Sequence, residues 1–544
     1  MNPKPRSARW LWLLPLLMYF LLTAWSARAN SLTIDEGLHI ASGYTILRTG
    51  DYRLVEEHPP LVKLWIALPL LPLRSLPDPT TLPAWQAVET QADATESLPL
   101  LQMAQQLLYP HTPTARWLLP ARLMEALLGV LLLAVIARWG CDLWGWRGGA
   151  VAIAFTALDP NLIAHGAIAG TDLGATTFIV LSLFIAQRFL RRPTRTHTLL
   201  TGVTLGLTLA TKLTALLLGP ALGLAALWHL WRAPTREARA RLFRRGLLVL
   251  VITGATFWAV YGFQIGAAPG VPFPVPAAAH AIPILRVLGH SRGGHQAYLL
   301  GQNSTHGWWY YFPVAFLLKT PLPALILALA ALMRKLTQRR PLGPGLVPAL
   351  FALIYVATSL LSSLNIGYRH LLPLLPLLYL GLGRLAKQQS SKTAQQQNVQ
   401  TPTQYAIRNT QHAIHFTRYA LRTTLSLLLL WQAIGALRIA PYPLSFFNAV
   451  AGGPDEGWRY LADSNTDWGQ GYQALARFQD AHEIESVRLS AFIFYDPARY
   501  GVRHTPLTPL GGDTPAIFPA RFAPPPGDYV ISATPLDGIP LADP

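Results

Sequence analysis

The chain has 544 residues, 51% of them hydrophobic and 13% charged, with a formal net charge of +18 at pH 7. Soluble domains carry roughly 25% charged residues, so this composition excludes an ordinary soluble protein and points to a polytopic membrane protein. The basic residues lie in short clusters between apolar runs, which excludes a nucleic-acid partner, and the single cysteine, Cys141, excludes a disulfide framework or a cysteine-based metal site.

A spanning helix needs about 20 mainly apolar residues. Eleven segments fit: 8–27, 117–138, 148–165, 171–190, 197–212, 213–231, 246–264, 312–333, 343–362, 367–386 and 423–440. The first ends in "AWSARAN" (24–30), an Ala-x-Ala pattern that also fits a cleaved signal peptide. Residue 35 falls outside the membrane on either reading. The segment 61–77, "LVKLWIALPLLPLRSLP", is short, carries Lys63 and Arg74, and is broken by prolines. It reads as an amphipathic helix at the outer interface. Thr211–Lys212 interrupts 197–231, which reads as two spans.

Loop charge supports that split. "RRPTR" (191–195), "WRAPTREARARLFRR" (231–245), "MRKLTQRR" (333–340) and the basic segment 387–422 all fall on one side when the N-terminus is cytoplasmic. The expected architecture is α-helical, with N-terminus in and C-terminus out, in the cell membrane. Residues 1–440 form the membrane domain, with outer loops 28–116 and 265–311 and a cytoplasmic linker 387–422. The Gln-rich linker is expected to lack regular structure. The tail 441–544 is the expected small extracytoplasmic domain, α/β or β-rich, because "VRLSAFIFY" (487–495) and "DYVISATP" (528–535) alternate with Pro/Gly-rich turns.

Ionisable groups beside a membrane are costly and tend to mark a polar site. In this topology Asp35–Glu36, His58, Lys63, Asp172, Lys212 and Arg369–His370 all fall on the outer side. Several of these charges have a plainer reading. Asp172 after Thr171 fits a helix start, Arg369 fits an interfacial anchor, and Glu56–Glu57 fits a solvated loop. Asp35–Glu36 is the hardest to dismiss, since it leads an amphipathic pattern at a helix start. His39, His58 and His370 near carboxylates leave a divalent metal open, but no ligand spacing falls on one helix, so no obligatory cofactor is expected.

The ordered set of motifs carries a resemblance. "DEGLH" (35–39), "HPPLVK" (58–63), "LDPNLIAHGAIAGTDLGATTF" (158–178), "GQNSTHGWWYYFPVAFLLKTPLPAL" (301–325) and "FFNAVAGGPDEGWRYLADSNTDWGQG" (446–471) together resemble the GT-C glycosyltransferases that use phospholipid carriers. That group includes the protein O-mannosyltransferases and the aminoarabinose transferases of lipid A. The resemblance implies a polyprenyl-phosphate-linked sugar as donor and an extracytoplasmic hydroxyl on a protein, lipid or glycan as acceptor. It implies Asp35 as catalytic base, with Glu36 assisting and Asp172 orienting a substrate. Arg369 is the first choice for the donor phosphate; Lys63, His58, His370 and Lys212 are the others. Inverting transfer needs one general base and cations around the leaving phosphate, which these residue types supply. The loop 265–311 is too short for the sugar-binding domain that the eukaryotic O-mannosyltransferases carry there, so a protein acceptor is not carried over. A transporter or lipid flippase is the rival reading. It would show related halves and charges at the midplane, and neither is visible.

Overall fold

The eleven apolar runs overlap helices or pairs of helices. The computed structural model describes residues 12–55, 57–90, 98–110, 115–269, 271–338, 345–386, 404–507 and 527–537. The helices are α1 Leu13–Ala29, α2 Glu36–Thr49, α3 Leu61–Ala67, α4 Pro83–Thr90, α5 Leu98–Leu107, α6 Ala115–Ala157, α7 Pro160–Gly166, α8 Asp172–Arg191, α9 Arg195–Leu209, α10 Leu218–Trp231, α11 Arg236–Val260, α12 Ala281–Gly293, α13 Tyr311–Lys319, α14 Leu322–Gln338, α15 Leu346–Leu360, α16 Leu374–Leu382, α17 Gln404–Ile439, α18 Tyr472–Ala481 and α19 Ala533–Leu536. Among the described residues, four helices are long and apolar enough to cross a membrane, or five if one bent pair counts as a single span.

The core gathers around α6, against which α1, α8 and α16 pack. Nominally α6 runs for 43 residues, but Gly145 breaks it at φ 79° and ψ 177°. A straight helix would separate Gly140 and Gly149 by about 13 Å. Instead a Cβ added to Gly140 would lie 2.8 Å from the Gly149 Cα. The chain therefore doubles back at Gly145, and the two arms cross where neither residue has a side chain.

The run 312–333 also departs from a straight span. It divides into α13 and α14, bent by 115°. Pro321 lacks an N–H, and Thr320 before it is extended at φ −79° and ψ 134°. Lys319 at the break is buried and donates to the backbone oxygens of Leu444, at 2.9 Å, and Asn465. The break is thereby tied to the tail.

Segment 61–77 is shorter as a helix than its apolar run. In α3, Val62, Lys63, Ile66 and Ala67 are buried, and the helix packs on α2 and α6. A Cβ at Gly43 of α2 would sit 2.0 Å from the Lys63 carbonyl oxygen, so only glycine lets α3 approach this closely. The linker expectation needs correction in its second half, since α17 already begins at Gln404. Residues 387–403 of the linker and Glu56 lie outside the described residues.

In the tail, strands β5 Val487–Ser490, β6 His504–Pro506 and β7 Tyr529–Ile531 form a parallel sheet in the order β6-β5-β7 beside α18. Two small hairpins precede them: β1 Ile265–Gly266 with β2 Val275–Pro276, and β3 Ala297–Leu299 with β4 Gln302–Ser304. The strands are shorter than the apolar runs 487–495 and 528–535 that suggested them. The tail grips the chain just before α2. Tyr495 donates to the Leu32 oxygen at 2.6 Å, and Leu32 N donates to the Tyr500 hydroxyl at 2.9 Å.

Candidate active site

Four ionisable groups from four helix ends converge. Asp35 is the residue before α2, and its Oδ2 accepts from Arg369 Nη1 at 2.9 Å. Arg369 lies in a short turn, Tyr368–Leu371, just ahead of α16. The same Nη1 is 4.0 Å from Asp172 Oδ2 at the start of α8. Asp172 Oδ1 in turn meets Lys212 Nζ at 2.5 Å, at the break between α9 and α10. The four form a line of alternating charge, Asp35, Arg369, Asp172 and Lys212. Arg369 Nε is buried with no hydrogen-bond partner among the described residues.

Asp35 keeps 28% of its side chain accessible, against 8–11% for Asp172, Lys212 and Arg369. It is therefore the member most open to a substrate. Burial nonetheless raises its pKa above the ordinary carboxylate value, outweighing the opposing pull of Arg369.

The tail supplies a wall that the sequence only hinted at. The stretch "DSNTDWGQG" (463–471) is threaded beside residues 31–34: Ile34 N donates to the Trp468 oxygen and Ser31 N to the Gln470 oxygen, both at 3.0 Å. This places the Trp468 ring 4.4 Å from the Arg369 guanidinium carbon, a cation–π contact. Asn465 Oδ1 accepts from Tyr368 N at 2.8 Å, which fixes the turn carrying Arg369.

The other expected residues divide. His39 and His58 face each other with ring centroids 5.5 Å apart. Burial, and then nearby lysines, hold both well below the ordinary histidine pKa, so both are neutral at pH 7. Lys63 is buried, and its ammonium donates to the Val55 oxygen. His370 rests 6.1 Å from the Phe312 ring.

Glu36 does not join the line of charges. It is fully buried and accepts from Arg122 Nε at 2.7 Å and Nη2 at 2.6 Å, from Thr33 N at 2.8 Å and from Ala169 N at 2.7 Å. Arg122 also donates to the oxygens of Ala27, Asn30 and Ser31. Both of its oxygens are committed to holding α2 against α6 and the 167–170 turn.

The charge reading passes over Arg122, although an arginine inside the apolar run 117–138 is the kind of intramembrane charge that must find a partner. Glu57, which by sequence fits a solvated loop, pairs with His290 Nδ1 at 3.0 Å. His290 Nε2 continues to His295 Nδ1 at 2.8 Å. The pairing raises the His290 pKa, and it pulls Glu57 low against the upward push of burial. Among the described residues, no group of three or more His, Cys, Asp or Glu side chains is placed to hold a metal ion.

Residues 107–268 match the model of the dolichyl-phosphate-mannose-protein mannosyltransferase family. The chain is thus similar to the GT-C group both in its motifs and over this stretch, which holds Asp172 and Lys212 but not Asp35 or Arg369. No curated protein sequence matches the chain. Among solved structures, ArnT from Cupriavidus metallidurans in the apo state is 16% identical, over 92% of this chain and 86% of that one, with a TM-score of 0.47. The same protein bound to undecaprenyl phosphate gives 16%, 93%, 86% and 0.47. The S. cerevisiae protein O-mannosyltransferase Pmt1-Pmt2 complex bound to the sugar donor gives 16%, 48%, 34% and 0.34.

Proposed function

We propose that the chain is a membrane glycosyltransferase that moves a sugar from a polyprenyl-phosphate carrier to an acceptor hydroxyl on the extracytoplasmic face, with inversion. The observation that carries this reading is the Asp35–Arg369 pair: a partly accessible carboxylate 2.9 Å from a guanidinium whose Nε is unpartnered. The family model on residues 107–268 supports a lipid-phosphate-linked sugar as donor. The eleven-span topology, with cytoplasmic N-terminus and outer tail, is part of the same reading and rests on loop charge.

The chemistry follows from the two groups. The acceptor oxygen attacks the anomeric carbon, Asp35 takes the hydroxyl proton, and the bond from that carbon to the phosphate oxygen breaks. The electron pair leaves with the polyprenyl phosphate. Arg369 is always charged and presents several donors in a fixed fork, so it meets the growing phosphate charge. Asp172 and Lys212 hold Arg369 in place and set the net charge around the phosphate. A raised pKa suits Asp35 to its task, because a base nearer neutrality accepts a proton more readily.

The test is transfer by the purified full chain in detergent, with labelled polyprenyl-phosphate sugars, wild type beside Asp35→Asn. Turnover lost in Asp35→Asn with donor binding kept supports the base role. Equal turnover in both forms removes Asp35 from that role. Absence of donor binding by either form transfers support to the transporter reading.

A further inference from the structure

Two turns from distant parts of the chain interlock at Arg369. Ser464 Oγ donates to the Ile366 oxygen at 2.7 Å, and Tyr368 N donates to Asn465 Oδ1 at 2.8 Å. Gly367 lies between these contacts at φ 148°, where a side chain would run into Ser464 Oγ. The Trp468 ring adds its contact with the Arg369 guanidinium. The segment 464–468 thus seats Arg369 and the turn that carries it.

That segment starts from a strained residue. Asp463 has φ 56°, a left-handed conformation that is costly for a residue with a Cβ. Such a residue persists only where its surroundings over-determine it. The Asp463 oxygen accepts from Thr466 N at 2.9 Å and from Asp467 N at 3.2 Å, which closes a tight turn over 463–467. The Asp463 N–H points out of this turn and donates to Thr534 Oγ1 at 3.1 Å. The same hydroxyl donates to the Asp467 oxygen at 3.0 Å. One hydroxyl therefore ties both ends of the turn, and Thr534 is fully buried.

Thr534 belongs to α19, directly after β7. Ser532 N donates to the Ser490 oxygen at 2.9 Å, which extends the pairing of β7 with β5, and Ala533 N donates to Asp467 Oδ2 at 3.1 Å. The sheet of the tail thus fixes where the hydroxyl stands. A line of support runs from the sheet through Thr534 to the 463–467 turn, and from there to Arg369.

We propose that Thr534 is a positioning residue for the lipid-phosphate site: by clamping the 463–467 turn it keeps Asn465 and Trp468 against Arg369 and its turn. The inference rests on the reading of Arg369 as the phosphate ligand. It makes the far end of the outer tail a working part of the site, although Thr534 touches no substrate itself.

The experiment titrates the delipidated full chain in detergent with sugar-free polyprenyl phosphate, read by native mass spectrometry, beside thermal melting. Thr534→Val keeps the shape of the side chain and removes the hydroxyl. It raises Kd by about tenfold, the scale of one lost hydrogen bond. Thr534→Ser restores the hydroxyl and binds within about twofold of wild type. Val530→Ala, in β7, loosens the packing of the tail without touching the turn; it lowers the melting temperature and leaves Kd unchanged. Arg369→Gln is the control for the phosphate ligand. Loss of binding in Arg369→Gln with an unchanged Kd in Thr534→Val overturns the proposal. Equal weakening in Val530→Ala and Thr534→Val also overturns it, because the effect is then general loosening of the tail. Wild-type binding by Arg369→Gln overturns the phosphate-ligand reading itself, and this inference with it.

Discussion

Asp35 and Arg369 stand 334 positions apart in sequence and 2.9 Å apart in space. Asp35 leads α2 and Arg369 precedes α16, so the pair forms only when the first and last parts of the membrane domain close on each other. Trp468 seals the contact from the tail side. On the proposed function, a donor phosphate competes with Asp35 for this guanidinium. Arg369→Lys keeps the charge but loses the fork, and we expect donor KM to rise by about 10–100-fold, the range set by a charged hydrogen bond. Steady-state kinetics with varied donor checks it; an unchanged KM argues against Arg369 as the phosphate ligand.

With Asp35 as the proposed base, the pH profile of kcat/KM is expected to follow its titration. The base must be deprotonated to act, so activity falls as pH drops through its pKa. Burial raises that pKa, which sets the acid limb above that of an ordinary carboxylate. Arg369 pulls it down, so Arg369→Gln moves the limb to still higher pH. A limb that stays put in Arg369→Gln shows that the titrating group is not Asp35.

Glu36 and Arg122 are expected to govern stability. Arg122→Met strands a carboxylate that is fully buried, a change that costs about 3–5 kcal/mol. Adding Glu36→Gln to Arg122→Met removes the stranded charge and recovers part of the loss. Thermal unfolding in detergent measures both. A Glu36→Gln protein with wild-type melting but lost turnover returns Glu36 to the reacting centre.

The Glu57–His290 contact is a pH-dependent brace between the 53–58 turn and α12. The fold raises the His290 pKa above 6.5, so its contribution is complete below that value and fades as pH rises through the raised one. The fold lowers the Glu57 pKa below 4.5, so its contribution is complete above that value and fades as pH falls through the lowered one. His290→Asn should therefore melt below wild type at pH 6, with the gap closing toward pH 9. A gap that is constant with pH means that the brace is packing, not charge.

The sequence by itself determined the class and the candidates. Hydropathy marks the helices because a span must bury its backbone polarity in helical hydrogen bonds. Asp35, Asp172, Lys212 and Arg369 stood out because charges at apolar run ends are costly, and the structure brings these four together. Lys63 and His58 stand out for the same reason, but residue type does not say which way each side chain points. Neighbouring residues at a helix start face different sides, so Asp35 and Glu36 parted: one toward Arg369, the other onto Arg122. Hydropathy missed the bend of 115° at Thr320–Pro321 because a broken run is as apolar as a straight one. Only tertiary structure decided the partners of Arg122, the His290 contact of Glu57 and the seat of Trp468. Each pairs groups far apart in the chain, and local pattern carries no information about which distant carbonyl, carboxylate or ring will satisfy a given charge.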